Sequence, residues 1–266
     1  MFKAIVYISV VLLIIFSGTA ACYYFQKPDY NELNLVHKYV ADKVTEKFET
    51  KIQSTPKFQH SIIDYNELFA ELNYIEQAFA ETILSINPDS LGFKGPFYSV
   101  ERPEDLIMQE STSFIYNGET IETGTQYCPR HIFEDFQKMN NEMYQAIGKT
   151  LYIDSGYRSP GRQAYLFFKY LVSSSNYSLL ENARWIAMPG YSEHAHPINT
   201  ALDFINQDGI NGMNEGQKSE DFERLPEYKW LLENASRFNL YLTYVKDNDL
   251  GVNFEPWHWH WEKRVD

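Results

Sequence analysis

Near residue 100 the hydrophobic pattern of this chain changes character. Before it, Leu33, Val36, Val40, Val44 and Phe48 recur at three- and four-residue steps, and Leu68, Leu72, Ile75, Phe79 and Ile83 form a second such stripe. That spacing is one face of a helix, so residues 28–99 are expected to form a helical hairpin or stalk, with the polar connection "IQSTPKFQHS" between its arms. His37 and His60 stand singly there and are expected to be solvated.

After residue 100 the signals mix. "HIFEDFQKMNNEMYQAIG" puts Ile132, Phe136, Met139, Met143 and Ile147 on one face and ends in glycine, as a helix does. "TLYID" reads as a strand leading into "SGYRSPGRQ", and "AYLFFKYL" as the helix that follows. "PEYKWLLENASRF" opens with a proline suited to a first helical turn and stops at Asn239, which tolerates the left-handed conformation of a helix end. "LYLTYV" and "VNFEPWHWHW" are strand-like in their β-branched and aromatic content. Residues 100–266 are therefore expected to be an α+β unit.

The first residues carry a lone Lys3 and then an unbroken apolar run from Ala4 to about Phe25. Such a run is long enough to span a bilayer, and we expect residues 1–27 to be a signal or membrane anchor with the rest of the chain outside the cytoplasm. Cleavage near Gly18 to Ala21, giving a secreted protein, and lipidation at Cys22 are the other outcomes. Cys22 and Cys128 are the two cysteines, so no disulfide framework is expected. With 44% hydrophobic and 16% aromatic residues the chain can build a sizeable core, and its formal charge of -13 argues against a nucleic-acid partner.

Of seven histidines, His194, His196, His258 and His260 fall into two pairs, one followed by Asp203 and the other preceded by Glu255. A hydrolytic zinc site takes about three N or O ligands, keeps a position open for water, and has a nearby carboxylate to accept a proton. Spacing alone leaves two readings. The histidines are metal ligands, or they alternate with solvent on a strand while the tryptophans around His258 pack in a core. Glu255 and His258 lie three apart with Pro256 between, so aiming both at one metal requires a bend there.

Three motifs occur in a telling order: "SGYRS" at 155–159 with Gln163 behind it, "PGYSEH" at 189–194 leading to "TALDF" at 200–204, and "FEPWHWHW" at 254–261. Over roughly residues 125–262 the chain resembles the D-alanyl-D-alanine carboxypeptidase and dipeptidase family of zinc peptidases, whose fold is shared with lysostaphin-type and hedgehog-type domains. The resemblance implies a small antiparallel sheet carrying a zinc site with flanking helices. It implies one zinc ion per chain held by His194, Asp203 and His258, with Glu255 as general base. It also implies that Arg158 clamps the free carboxylate of a peptide, with Tyr157, Gln163 and Ser192 as further substrate contacts.

The family pattern S-x-H-x-x-G-x-A-x-D does not fit without a choice. Keeping Ser192 and His194 in register needs two extra residues before Asp203, whereas the family's histidine-to-aspartate spacing selects His196 as the alternative ligand. Two residues added to a turn cost little closure entropy, and "HPIN" has turn chemistry, so His194 is preferred. The implied activity is removal of the terminal D-Ala from peptidoglycan stem peptides. A cross-link endopeptidase of the same fold and a non-catalytic wall-binding scaffold are the alternatives.

Overall fold

The computed structural model describes residues 26–263. The apolar run at 4–25 and Cys22 lie outside the described residues. Among those described, no helix is long and apolar enough to cross a membrane.

The fold is α+β. The N-terminal region contributes α1 (Leu35–Ser54), α2 (Tyr65–Phe69) and α3 (Tyr74–Leu84). The second stripe is thus two helices rather than one. Asn73 interrupts it by accepting from the N–H groups of Ile75 and Glu76, while the Glu76 carboxylate accepts from Asn73 N–H. This capping box starts a new helix in a new direction and leaves Ile75 exposed.

Nor is this region a free stalk. Val44, Phe48, Leu68, Phe79 and Ile83 share one core with Phe167, Phe168 and Leu171 of a later helix, α5 (Pro160–Ser173). His37, expected in solvent, is 1% exposed inside that core, its ring 5.4 Å from that of Phe79.

Two hairpin-like ladders that the sequence reading did not resolve follow: β1 (Leu106–Gln109) pairs with β4 (Gln126–Pro129), and β2 (Ser113–Tyr116) with β3 (Glu119–Glu122). Then come α4 (Arg130–Ile147), closed by Gly148 at φ 66°, and strand β5 (Leu151–Ser155). Beyond α5 lie α6 (Leu179–Ala183), β6 (Leu202–Asn206), α7 (Ser219–Glu223), α8 (Pro226–Asn234), β7 (Leu240–Leu242) and β8 (His258–Trp261). Asn239 takes the left-handed conformation at φ 61° before β7.

Strands β5, β6, β8 and β7 form one antiparallel sheet in that order. One face packs on α4 and α8 through Phe136, Met139, Phe204, Trp230 and Leu240. The register sets Asp203 of β6 directly opposite His258 of β8, and Ser155 of β5 opposite Asp203. Directly opposed residues of antiparallel strands have Cβ atoms about 5 Å apart. The sheet by itself therefore brings Asp203 and His258 within reach of each other.

Candidate active site

Asp203 is the centre of a buried cluster. Its Oδ1 lies 2.8 Å from His258 Nδ1, and its Oδ2 lies 3.1 Å from His194 Nε2 and 2.5 Å from Arg158 Nη2. His194, Asp203 and His258 are each at most 2% exposed, and one ligand atom from each falls within 4.8 Å of the others. They form the one such group among the described residues.

Local structure explains how each arrives. Ser192 accepts from His194 N–H and opens a single 3₁₀ turn, Glu193–Ala195. Ala201 N–H donates to the Glu193 carbonyl and Thr200 Oγ1 to the His196 carbonyl, which pinches off the loop before β6. His196 serves that loop. Its Nδ1 accepts from the N–H groups of Ile198 and Asn199, so it stands outside the three-residue group. At the other segment the chain turns at Pro256 and Trp257, with His258 N–H donating to the Glu255 carbonyl.

The outer contacts of the rings fix their tautomers. His194 Nδ1 is 2.8 Å from the Gly156 carbonyl, which can only accept, so Nδ1 carries the proton and Nε2 presents a lone pair toward Asp203. His258 Nε2 is 2.8 Å from Glu193 Oε2, an acceptor too, so His258 donates there and turns Nδ1 inward. Two imidazole nitrogens and one carboxylate oxygen, each ring anchored by a hydrogen bond on its far side, fit a divalent ion of the zinc type with a position left for water or substrate.

The buried charges also set one another: His258 faces a carboxylate with each ring nitrogen and so carries both protons, and a metal at Nδ1 would displace the one that faces Asp203. Burial and then the Arg158 charge push His194 down to about 4, which keeps it neutral. Burial works against charge on His258, but hydrogen bonds to the Asp203 and Glu193 carboxylates outweigh it and raise the ring to about 10. Burial would likewise raise Asp203, yet its neighbours His194 and Arg158 hold it well below the usual carboxylate range. Glu193 is held at about 2, burial being overcome by its hydrogen bond to His258. Glu255, 8% exposed, is lifted by burial to about 8, opposed mainly by the His258 charge.

The cluster opens into a cavity of about 620 Å³ whose lining includes Arg158, Gln163, Ser192, Tyr244, Glu255 and Trp257. Its lining mixes charged and polar side chains with aromatic ones, and a concave cleft of this size is the usual form of a small-ligand site.

Comparison with known proteins decides the family. The VanY D-alanyl-D-alanine carboxypeptidase family matches residues 125–264, more than half of the chain. The chain belongs to this family. A D-alanyl-D-alanine carboxypeptidase of Enterococcus faecium is 27% identical over 185 residues, 69% of this chain and 52% of the relative. The chain thus spans about half the length of that curated relative.

Among solved structures, the LdcB LD-carboxypeptidase matches at a TM-score of 0.46 with 21% identity, over 66% of this chain and 78% of that one. VanYB in complex with D-alanine-D-alanine matches at 0.42 with 25% identity, over 65% and 86%. A vancomycin resistance D,D-pentapeptidase VanY in complex with Zn(II) matches at 0.42 with 25% identity, over 65% and 87%.

Set against the VanY-family pattern, His194, Asp203, Glu255 and His258 converge, and Gln163 and Ser192 line the same cavity. Gln163 Nε2 is held by the Ala187 carbonyl at 2.6 Å. Arg158 reaches the cavity, but its Nη2 is bound to Asp203 and its Nε to Ser155 Oγ at 2.7 Å. Arg158 thus braces the sheet carboxylate while lining the cavity.

Tyr157 does not share the cavity. Its buried ring lines a neighbouring one with Ile63 and Pro189. The sequence reading missed Glu193 and Tyr244, whose ring stacks on His258 with centroids 4.4 Å apart. Glu193 lies next to a nominated ligand, and only the three-dimensional contact shows which histidine it serves.

Proposed function

We propose that this VanY-family chain is a zinc-dependent D-alanyl-D-alanine carboxypeptidase that removes the terminal D-Ala from peptidoglycan stem peptides. The observation that carries this reading is the buried His194, Asp203 and His258 group, with Glu255 beside it, opening into a cavity that fits the end of a peptide. His194 through Nε2, Asp203 through a carboxylate oxygen and His258 through Nδ1 would hold one zinc ion. When bound, the ion supplies Lewis-acid polarisation of the scissile carbonyl and of the attacking water.

The protein side chains do the rest. Glu255, whose buried carboxyl binds its proton near neutrality, accepts the proton of the attacking water and delivers it to the leaving amine. Arg158 holds Asp203 ionised and in register with His258. Glu193 anchors the far side of the His258 ring, and the Gly156 carbonyl that of His194. The name of the Enterococcus faecium relative supports the substrate class. We place the catalytic region, residues 100–266, on the extracytoplasmic side of the cell membrane, with residues 28–99 packed against it and residues 4–25 as its anchor, the chain being secreted or lipidated at Cys22 if it is processed.

The test is a Glu255→Gln variant assayed on a peptide ending in D-Ala-D-Ala. It should retain bound zinc by elemental analysis and lose at least ~10²-fold in kcat. Full activity of the variant, or no D-Ala release by the wild type, overturns the reading.

A further inference from the structure

Arg162 lies in the first turn of α5, four residues after Arg158, and its side chain lines the same cavity. It has no hydrogen bond or ion pair from its guanidinium to any described residue. Of the described exposed arginines, Arg130, Arg184, Arg224 and Arg237 pair with carboxylates, whereas Arg102 is open to solvent and has no such pair among the described residues. Arg162, partly buried, has only the Tyr165 ring, 5.2 Å from its Cζ. Four carboxylates line the cavity with it, Asp154, Asp203, Glu220 and Glu255, and none is within ion-pair distance.

A guanidinium at a cavity wall with no carboxylate partner is the arrangement expected where an anion arrives with the ligand. The first turn of the helix is not itself the attraction, because Ser159 Oγ already accepts from Arg162 N–H at 3.1 Å. Burial draws the guanidinium down to about 10, so it stays cationic at neutral pH.

We infer that Arg162 is a substrate-recognition residue whose guanidinium takes a carboxylate of the bound peptide. The inference rests on reading the cavity as a peptidase site. Arg158 already has its Nη2 on Asp203 and its Nε on Ser155. Arg162 offers the cavity a planar fork that suits a carboxylate in two-pronged contact. A stem-type peptide brings two kinds of carboxylate, its free C-terminus and any acidic side chain further along. Arg162 recognises one of them.

The experiment uses one pentapeptide ending in D-Ala-D-Ala with a single internal glutamyl carboxylate, in three forms: both carboxylates free, the C-terminus amidated, and the internal carboxylate amidated. Wild type, Arg162→Gln and Arg162→Lys are compared, with thermal melting to establish that each variant folds. With the fully free peptide, Arg162→Gln should raise KM by ~10-fold or more with kcat little changed, and Arg162→Lys should recover part of the loss.

The form amidated at the recognised carboxylate should already bind wild type weakly and be indifferent to the substitution, which identifies the source. Equal weakening of all three forms, or of none, overturns the inference while leaving the proposed activity standing. If wild type releases D-Ala from no form, the proposed activity fails instead. Calorimetric binding of the same peptides to wild type and Arg162→Gln then decides Arg162 by the same two patterns.

Discussion

Glu193 stands next to His194 in the chain yet serves His258. Its Oε2 takes the ring's Nε2 hydrogen, and its Oε1 accepts from Tyr98 Oη at 3.2 Å. Such a carboxylate behind a ligating imidazole sets its orientation and basicity. Glu193→Gln should therefore weaken zinc binding by ~10–100-fold in a competition titration, and unchanged affinity would remove Glu193 from the site's support.

Asp154, the extra residue where the β5–β6 register shifts, is raised to about 6 by burial. Because its folded pKa exceeds the ordinary 3.8, folding favours the protonated form, and stability from this group falls as pH rises from about 4 to 6. Asp154→Asn keeps an acceptor for Asn211 and loses that penalty. Its melting temperature should exceed wild type by about 2–4 °C at pH 7.5 and by much less at pH 4.5. A gap that is flat with pH would contradict the account.

At the scale of elements, the site depends on one close approach. Gly156 leaves β5 so near β4 that an added Cβ would sit 2.1 Å from the Tyr127 carbonyl oxygen. The same residue's carbonyl holds His194. Gly156→Ala should cost about 1–3 kcal/mol in denaturant melts by forcing the strands apart, and should weaken zinc binding with it. Wild-type values for both would show that the approach is dispensable.

Elements marked by local chemistry were legible in the sequence: α4 with its apolar stripe and Gly148, α8 with Pro226 at its start, and the turn at Asn239. The hairpin β2–β3 was not read, although Asn117 and Gly118 between alternating residues are its signal. The break at Asn73 was hidden because the stripe runs on across it. Of the residues nominated for chemistry, His194, Asp203, Glu255, His258, Arg158, Gln163 and Ser192 line one cavity, whereas Tyr157 and His196 do not join them. Glu193, Tyr244 and Arg162 escaped notice because their roles come from contacts between distant segments, which no spacing along the chain records.

For the whole molecule, the N-terminal helices and the four-stranded sheet are joined through α5. One side of α5 completes the core that holds Phe48 and Phe79, and Arg162 and Gln163 at its start face the cavity. Residues 28–99 are thus part of what holds the cavity wall in place, through contacts such as Ser159 Oγ to the Ile63 carbonyl at 2.6 Å. The account as a whole stands on a metal held by His194, Asp203 and His258 driving release of D-Ala. Its most direct test is to strip the protein with a chelator, add zinc in steps, and measure D-Ala released from a peptide ending in D-Ala-D-Ala. Release should be absent in the stripped protein, rise in proportion to added zinc and level off at about one equivalent per chain. Release that survives stripping, or that never appears at any zinc level, would contradict it.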